Sequence, residues 1–84
     1  MDILRNPTTV KSLASQIIKA CDYYIELKVP EKQLKELITH YASRHGKKLF
    51  AHNGLNPTVV NRIGKRRVEL VNLMLSGFQN KLWD

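Results

Sequence analysis

From Val10 onward the apolar residues Val10, Leu13, Ala14, Ile17, Ile18, Cys21, Tyr24 and Ile25 recur at the three-and-four spacing of one helical face. Asn6-Pro7 offers a start, with Asn as N-cap and Pro in the first helical position, where its missing N–H is not needed. Pro30 disfavours a helical Val29, so the first helix is expected over about 7–28. A second helix is expected over 30–45, carrying Leu34, Leu37, Ile38, Tyr41 and Ala42 inward, with Gly46 as the left-handed residue that follows it. Glu31, Lys35, Lys32 and Glu36 stand at four-residue spacings that suit weak ion pairs on a solvated outer face. Joined by a very short turn, the two helices are expected to form an antiparallel hairpin.

The stretch Lys47 to Leu55 has no helical period and contains the turn signal Asn53-Gly54, so it reads as a connection anchored by Leu49 and Phe50. Asn56-Pro57-Thr58 then repeats Asn6-Pro7-Thr8 fifty residues later. An internal duplication and two independent uses of the same helix start both account for it. Beyond Pro57 a straight helix would align Val59, Val60, Ile63, Leu70, Val71 and Met74 on one face and set Arg67 in its middle. A lone buried arginine is costly unless paired, and Gly64 inside a helix costs about 1 kcal/mol relative to Ala. A break near Gly64 removes both difficulties and predicts helices over 57–63 and 65–76, with a short C-terminal turn over 78–83. The fold class is therefore all-α, a single domain over 1–84 built as a small three- to four-helix bundle that begins with the antiparallel hairpin.

Composition changes this picture in two respects. With 84 residues, 43% apolar and 25% charged, the chain has ordinary globular composition. It is short enough, however, to bury only about 60–65% of its unfolded surface. Uninterrupted apolar runs stop at two or three residues, as in Leu73-Met74-Leu75, so no membrane span or signal-peptide core is expected and a cytoplasmic location is the default. Cys21 has no second cysteine for a disulfide or a Cys-type metal site. On the apolar stripe it reads as a small core hydrophobe rather than a reactive thiol.

Charge is distributed unevenly. Residues 1–43 hold six Lys/Arg against five Asp/Glu, whereas residues 44–84 hold eight against two, so +6 of the net +7 lies in the second half. Such clustering draws polyanions at long range. If the chain breaks at Gly64, Lys65, Arg66 and Arg67 occupy the first turn of a helix, where cations oppose the helix dipole unless an anion binds. With Arg62, Lys47 and Lys48 they make a candidate nucleic-acid phosphate site. In the competing reading Lys65 and Arg66 lie mid-helix, pair with Glu69 and serve solubility.

A second expectation concerns partners. Val68 to Leu75 is apolar on more than one face, which suits either a central helix or one shared with another subunit. Val68, Leu75, Phe78 and Trp83 are accordingly the candidate protein-interaction residues, for a homodimer or for docking on an acidic protein. Core packing is the competing reading for Phe78 and Trp83. Catalysis is not expected: His40 and His45, five apart, would point about 140° from one another on a helix, and His52 stands apart. Gly64-Lys65 lacks the other residues of a phosphate-binding loop of the Walker type. No catalytic residue, metal, cofactor or small-molecule substrate is indicated.

The segments Gly46-Lys47-Lys48-Leu49-Phe50, Asn56-Pro57-Thr58 and Ile63-Gly64-Lys65-Arg66-Arg67-Val68-Glu69-Leu70 together resemble a family of short, uncharacterised helical proteins from Gram-positive bacteria and their phages. The resemblance covers most of the chain. It implies a small helical cytoplasmic protein and carries no assigned site residues.

Overall fold

The computed structural model describes the backbone of residues 3–52 and 54–83, and the side chains of 3–52 and 54–76. It is mostly helical. In chain order come α1 (Val10–Ile25), α2 (Glu31–Arg44), a single turn α3 (Gly46–Leu49), strands β1 (Phe50–Ala51) and β2 (Gly54–Leu55), then α4 (Pro57–Ile63) and α5 (Lys65–Trp83). The strands pair antiparallel, Phe50 opposite Leu55 and Ala51 opposite Gly54, in a stretch where the pattern predicts only an irregular connection. None of the helices is long and apolar enough to cross a membrane, among the described residues.

α1 begins later than the Asn6-Pro7 signal predicts. Thr9 is its N-cap, its hydroxyl accepting from the Ser12 N–H at 2.9 Å, a bond that satisfies one of the free donors of the first turn. Pro7 is buried outside the helix, and residues 4–6 are held as a strap instead. The Leu4 N–H donates to Gln16 Oε1 at 3.0 Å, the Tyr41 hydroxyl donates to the Leu4 carbonyl, and His40 Nε2 donates to the Arg5 carbonyl at 2.9 Å. Gln16 is thus a polar residue in a buried position because it satisfies a backbone donor there.

At its other end α1 stops at Ile25, short of the predicted Lys28. Lys28 N–H bonds the Tyr23 carbonyl at 2.8 Å and Leu27 N–H the Tyr24 carbonyl at 3.0 Å, the two bonds of a Schellman cap. Its left-handed position falls to Leu27, with φ 63°, where glycine is the usual occupant. Gly46, predicted to take that role after α2, opens α3 instead.

Asn56-Pro57 does open a helix. Asn56 Oδ1 accepts from the Thr58 N–H at 2.9 Å and Pro57 takes the first position of α4. The repeated Asn-Pro-Thr triplet therefore performs two different jobs. α4 ends at Gly64, whose φ of 86° and ψ of 160° lie in a region essentially reserved for glycine. One residue later α5 begins and runs through Gly77 to Trp83, where a separate terminal turn was predicted.

α1 packs most extensively on α4, and α2 on α5. The shared core draws Leu13, Ile17 and Cys21 from α1, Leu34, Ile38 and Tyr41 from α2, Leu49 from α3, Val59 and Ile63 from α4, and Val71, Met74 and Leu75 from α5. Burial pushes the Cys21 thiol up to about 11; Arg67 lowers it by less than burial raises it, and Asp22 adds a smaller rise. It is a core residue with little thiolate to offer at neutral pH.

Candidate nucleic-acid interface

Residues 37–68 contain no Asp or Glu and seven Lys/Arg: Arg44, Lys47, Lys48, Arg62, Lys65, Arg66 and Arg67. The fold treats these cations differently. Arg67 leaves the set. Its Nε and Nη2 donate to Asp22 Oδ1 at 3.0 and 2.9 Å, Nη2 also reaches Oδ2 at 3.1 Å, and Nη1 donates to the Ile63 carbonyl at 2.9 Å. The expectation that Arg67 contacts phosphate is corrected, because its guanidinium is spent on a forked ion pair that ties α5 to α1 and caps the end of α4. Asp22 had no assigned role in the sequence, because its partner lies 45 residues away.

The remaining cations stay outward. Arg44, Lys47, Arg62, Lys65 and Arg66 are exposed and Lys48 is half-buried. Among the described residues the only ion pairs are Asp22–Arg67 and Glu26–Lys28, so Lys65 and Arg66 do not pair with Glu69, nor Glu31 and Glu36 with Lys35 and Lys32. Gly64 has no side chain to cap α5, and its carbonyl accepts the first helical bond, from Val68 N–H at 3.0 Å. The first-turn N–H groups of α5 thus stand beside Lys65 and Arg66, an arrangement suited to an anion.

The α3 cations are tied to the start of α4. Asn56 Nδ2 donates to the Lys48 carbonyl at 3.3 Å and the Asn56 N–H to the Leu49 carbonyl at 2.8 Å. Lys47 and Lys48 therefore adjoin one end of α4, and Arg62, Lys65 and Arg66 the other. Arg44, one turn before Lys48, was missed by sequence reasoning centred on Gly64. The acid-free run around it was the available signal.

The protein-interaction candidates are redistributed. Leu75 is wholly buried and unavailable to a partner, and Val68 is half-buried against the core. Both face inward because α5 lies across α2 and α4. The side chains of Phe78 and Trp83 lie outside the described residues. Among the described residues the exposed large apolar side chains are instead Leu4, Ile25, Leu27 and Leu73, at 59%, 51%, 90% and 62% exposed. Ile25 and Leu73, with Tyr24, Leu70, Arg66 and Glu69, line an open groove of about 420 Å³.

The histidines are also closer than helical geometry predicts. α2 ends at Arg44 and His45 leaves the helix with φ −127°, bringing its ring centroid to 5.9 Å from that of His40. Nε2 of His45 bonds Asn6 Oδ1 at 3.1 Å, so both rings clasp the N-terminal strap. Among the described residues no three His, Cys, Asp or Glu side chains are grouped to hold a metal.

A family model described as a conserved hypothetical protein matches residues 4–76. No curated protein and no solved structure matches the chain.

Proposed function

We propose, for this chain as a member of that family of conserved hypothetical proteins, that it is a small basic binding protein that contacts nucleic-acid phosphates. The contacts come from Lys47, Lys48, Arg62, Lys65 and Arg66, with Arg44 added and Arg67 removed. The observation that carries this reading is the acid-free run of residues 37–68, whose cations other than Arg67 are exposed or, for Lys48, half-buried and form no ion pair among the described residues. Holding that many like charges on one segment weakens the fold through self-repulsion, and phosphate relieves it. The proposed protein is cytoplasmic, of Gram-positive or phage origin, and non-enzymatic. Its α1 and α2 are taken as the antiparallel hairpin of a small bundle.

Neutralising about four to six phosphates gives affinity whose logarithm falls against the logarithm of salt concentration with a slope of about −4 to −5. Fluorescence anisotropy with short duplex DNA and single-stranded RNA across a salt series tests this. Replacing Arg62, Lys65 and Arg66 together with Ala should reduce the slope by about 2 to 3. If neither nucleic acid binds, or the triple variant binds with an unchanged slope, the proposal fails.

The open groove at Ile25 and Leu73 favours a second reading, a protein-interaction module in which that groove meets a second copy or an acidic host protein. Light scattering at high concentration separates a dimer from a monomer. Capture from nuclease-treated lysate separates a protein partner from a nucleic-acid one.

A further inference from the structure

α4 is a seven-residue helix held firmly at both ends. At its start Asn56 uses its side-chain oxygen on the Thr58 N–H, its side-chain amide on the Lys48 carbonyl and its backbone N–H on the Leu49 carbonyl. At its end the Ile63 carbonyl accepts from Arg67, itself fixed by Asp22. Val59 and Ile63 are wholly buried, so the helix cannot roll about its axis without emptying two core positions. The outward side carries Thr58, Asn61 and Arg62, all exposed. At 3.6 residues per turn these three fall within an arc of about 100°. Among the described residues none of their side chains is engaged in a hydrogen bond within the protein.

An amide, a hydroxyl and a guanidinium on one rigid face form a hydrogen-bonding surface without negative charge, and cations adjoin both ends of the helix. An α-helix is about 10–12 Å across with its side chains, which fits the roughly 12 Å width of the DNA major groove. Lys47 and Lys48 at one end and Lys65 and Arg66 at the other suit the phosphates on its two walls. The major groove of A-form RNA is too deep and narrow for side chains to read. We infer that the outer face of α4 reads base edges in the major groove of double-stranded DNA, with Asn61 as its specificity-determining residue. The amide of Asn61 matches the N6 donor and N7 acceptor of adenine, with Arg62 beside it kept for the phosphates. This rests on the phosphate-binding reading above and adds a sequence preference that phosphate contacts alone do not supply.

The test is selection from a pool of random-sequence short duplexes by the full chain, followed by anisotropy on the enriched and a scrambled duplex. The expected result is an enriched step of two or three base pairs containing adenine. Asn61→Ala, at an exposed position, should reduce the preference for that step by roughly tenfold while its salt slope stays that of the unsubstituted chain. If duplex DNA binds with a steep salt slope but the pool shows no enrichment, or if Asn61→Ala keeps the full preference, the inference is overturned and phosphate binding stands. Tighter binding to single-stranded RNA than to any duplex also overturns it. Absence of binding to every nucleic acid removes both readings.

Discussion

The Asp22–Arg67 pair allows the joint between α1, α4 and α5 to be measured directly. Arg67 makes three contacts to the carboxylate and one to the Ile63 carbonyl, all between 2.9 and 3.1 Å. Hydrogen bonds to charged groups contribute about 1.5–3 kcal/mol when enclosed, whereas exposed ion pairs give about 0.2–1 kcal/mol. With side chains 32% and 39% exposed, the pair lies between these limits. A double-mutant cycle of Arg67→Ala and Asp22→Ala should therefore return a coupling of about 1–1.5 kcal/mol. Arg67→Ala alone should cost about 2 kcal/mol, because it also strips the Ile63 carbonyl of its partner. Arg67→Lys keeps the charge but loses the fork and should recover less than half of that loss. Urea unfolding followed by circular dichroism measures each stability. A coupling below about 0.3 kcal/mol, within the error of additivity, or a lysine variant as stable as the original chain, would refute the reasoning. The same variants separate structure from binding: Arg67→Ala should leave the salt slope for nucleic acid unchanged, unlike Arg62→Ala.

Gly64→Ala should destabilise by about 1–3 kcal/mol in the same unfolding assay. No atom crowds an added methyl, so the cost is that of a side chain at φ 86°, and a neutral result would mean that the break is not enforced there. Leu27→Gly should instead stabilise by about 0.5–1 kcal/mol, since it relieves a left-handed leucine that is 90% exposed and has little burial to lose. Cys21 should resist thiol reagents at pH 8 in the folded protein and react once urea unfolds it; rapid labelling without denaturant would contradict its enclosure. Folded-state pKa values are raised from 9.0 to about 11 for Cys21 and from 10.0 to about 12 for Tyr41, chiefly by burial. The unfolded chain therefore loses these protons first, so stability is full below about pH 9 and declines as pH rises through 9 to 12. Thermal melts across that range check the decline, and Cys21→Ala should remove its portion between 9 and 11.

Helical character, the inward stripes of α1 and α2, and the basic second half are all legible along the chain, because periodicity and charge are local properties. The Asn56-Pro57 start and the difficulty posed by Gly64 are legible for the same reason: cap chemistry and backbone restriction act within a few residues. The strap at residues 4–6 was not, since Asn6-Pro7 carries the same local signal as Asn56-Pro57. Its fate depends on His40, Tyr41 and His45, residues far off in the sequence that outcompete helix formation by offering partners to Leu4, Arg5 and Asn6.

The candidate site divides along the same line. Sequence by itself determined that a dense, acid-free run of cations surrounds Gly64, and it posed Arg67 as either a phosphate ligand or a costly arginine in the middle of a straight helix's apolar face. Only the tertiary structure introduced Asp22, which answers Arg67 from α1, leaving Lys65 and Arg66 outward. It also buried Leu75 while exposing Leu73. The spacing of two residues along a helix states which faces they occupy, but which face is covered depends on what packs against it. An arginine's cost or use is likewise decided by the charge that reaches it across space.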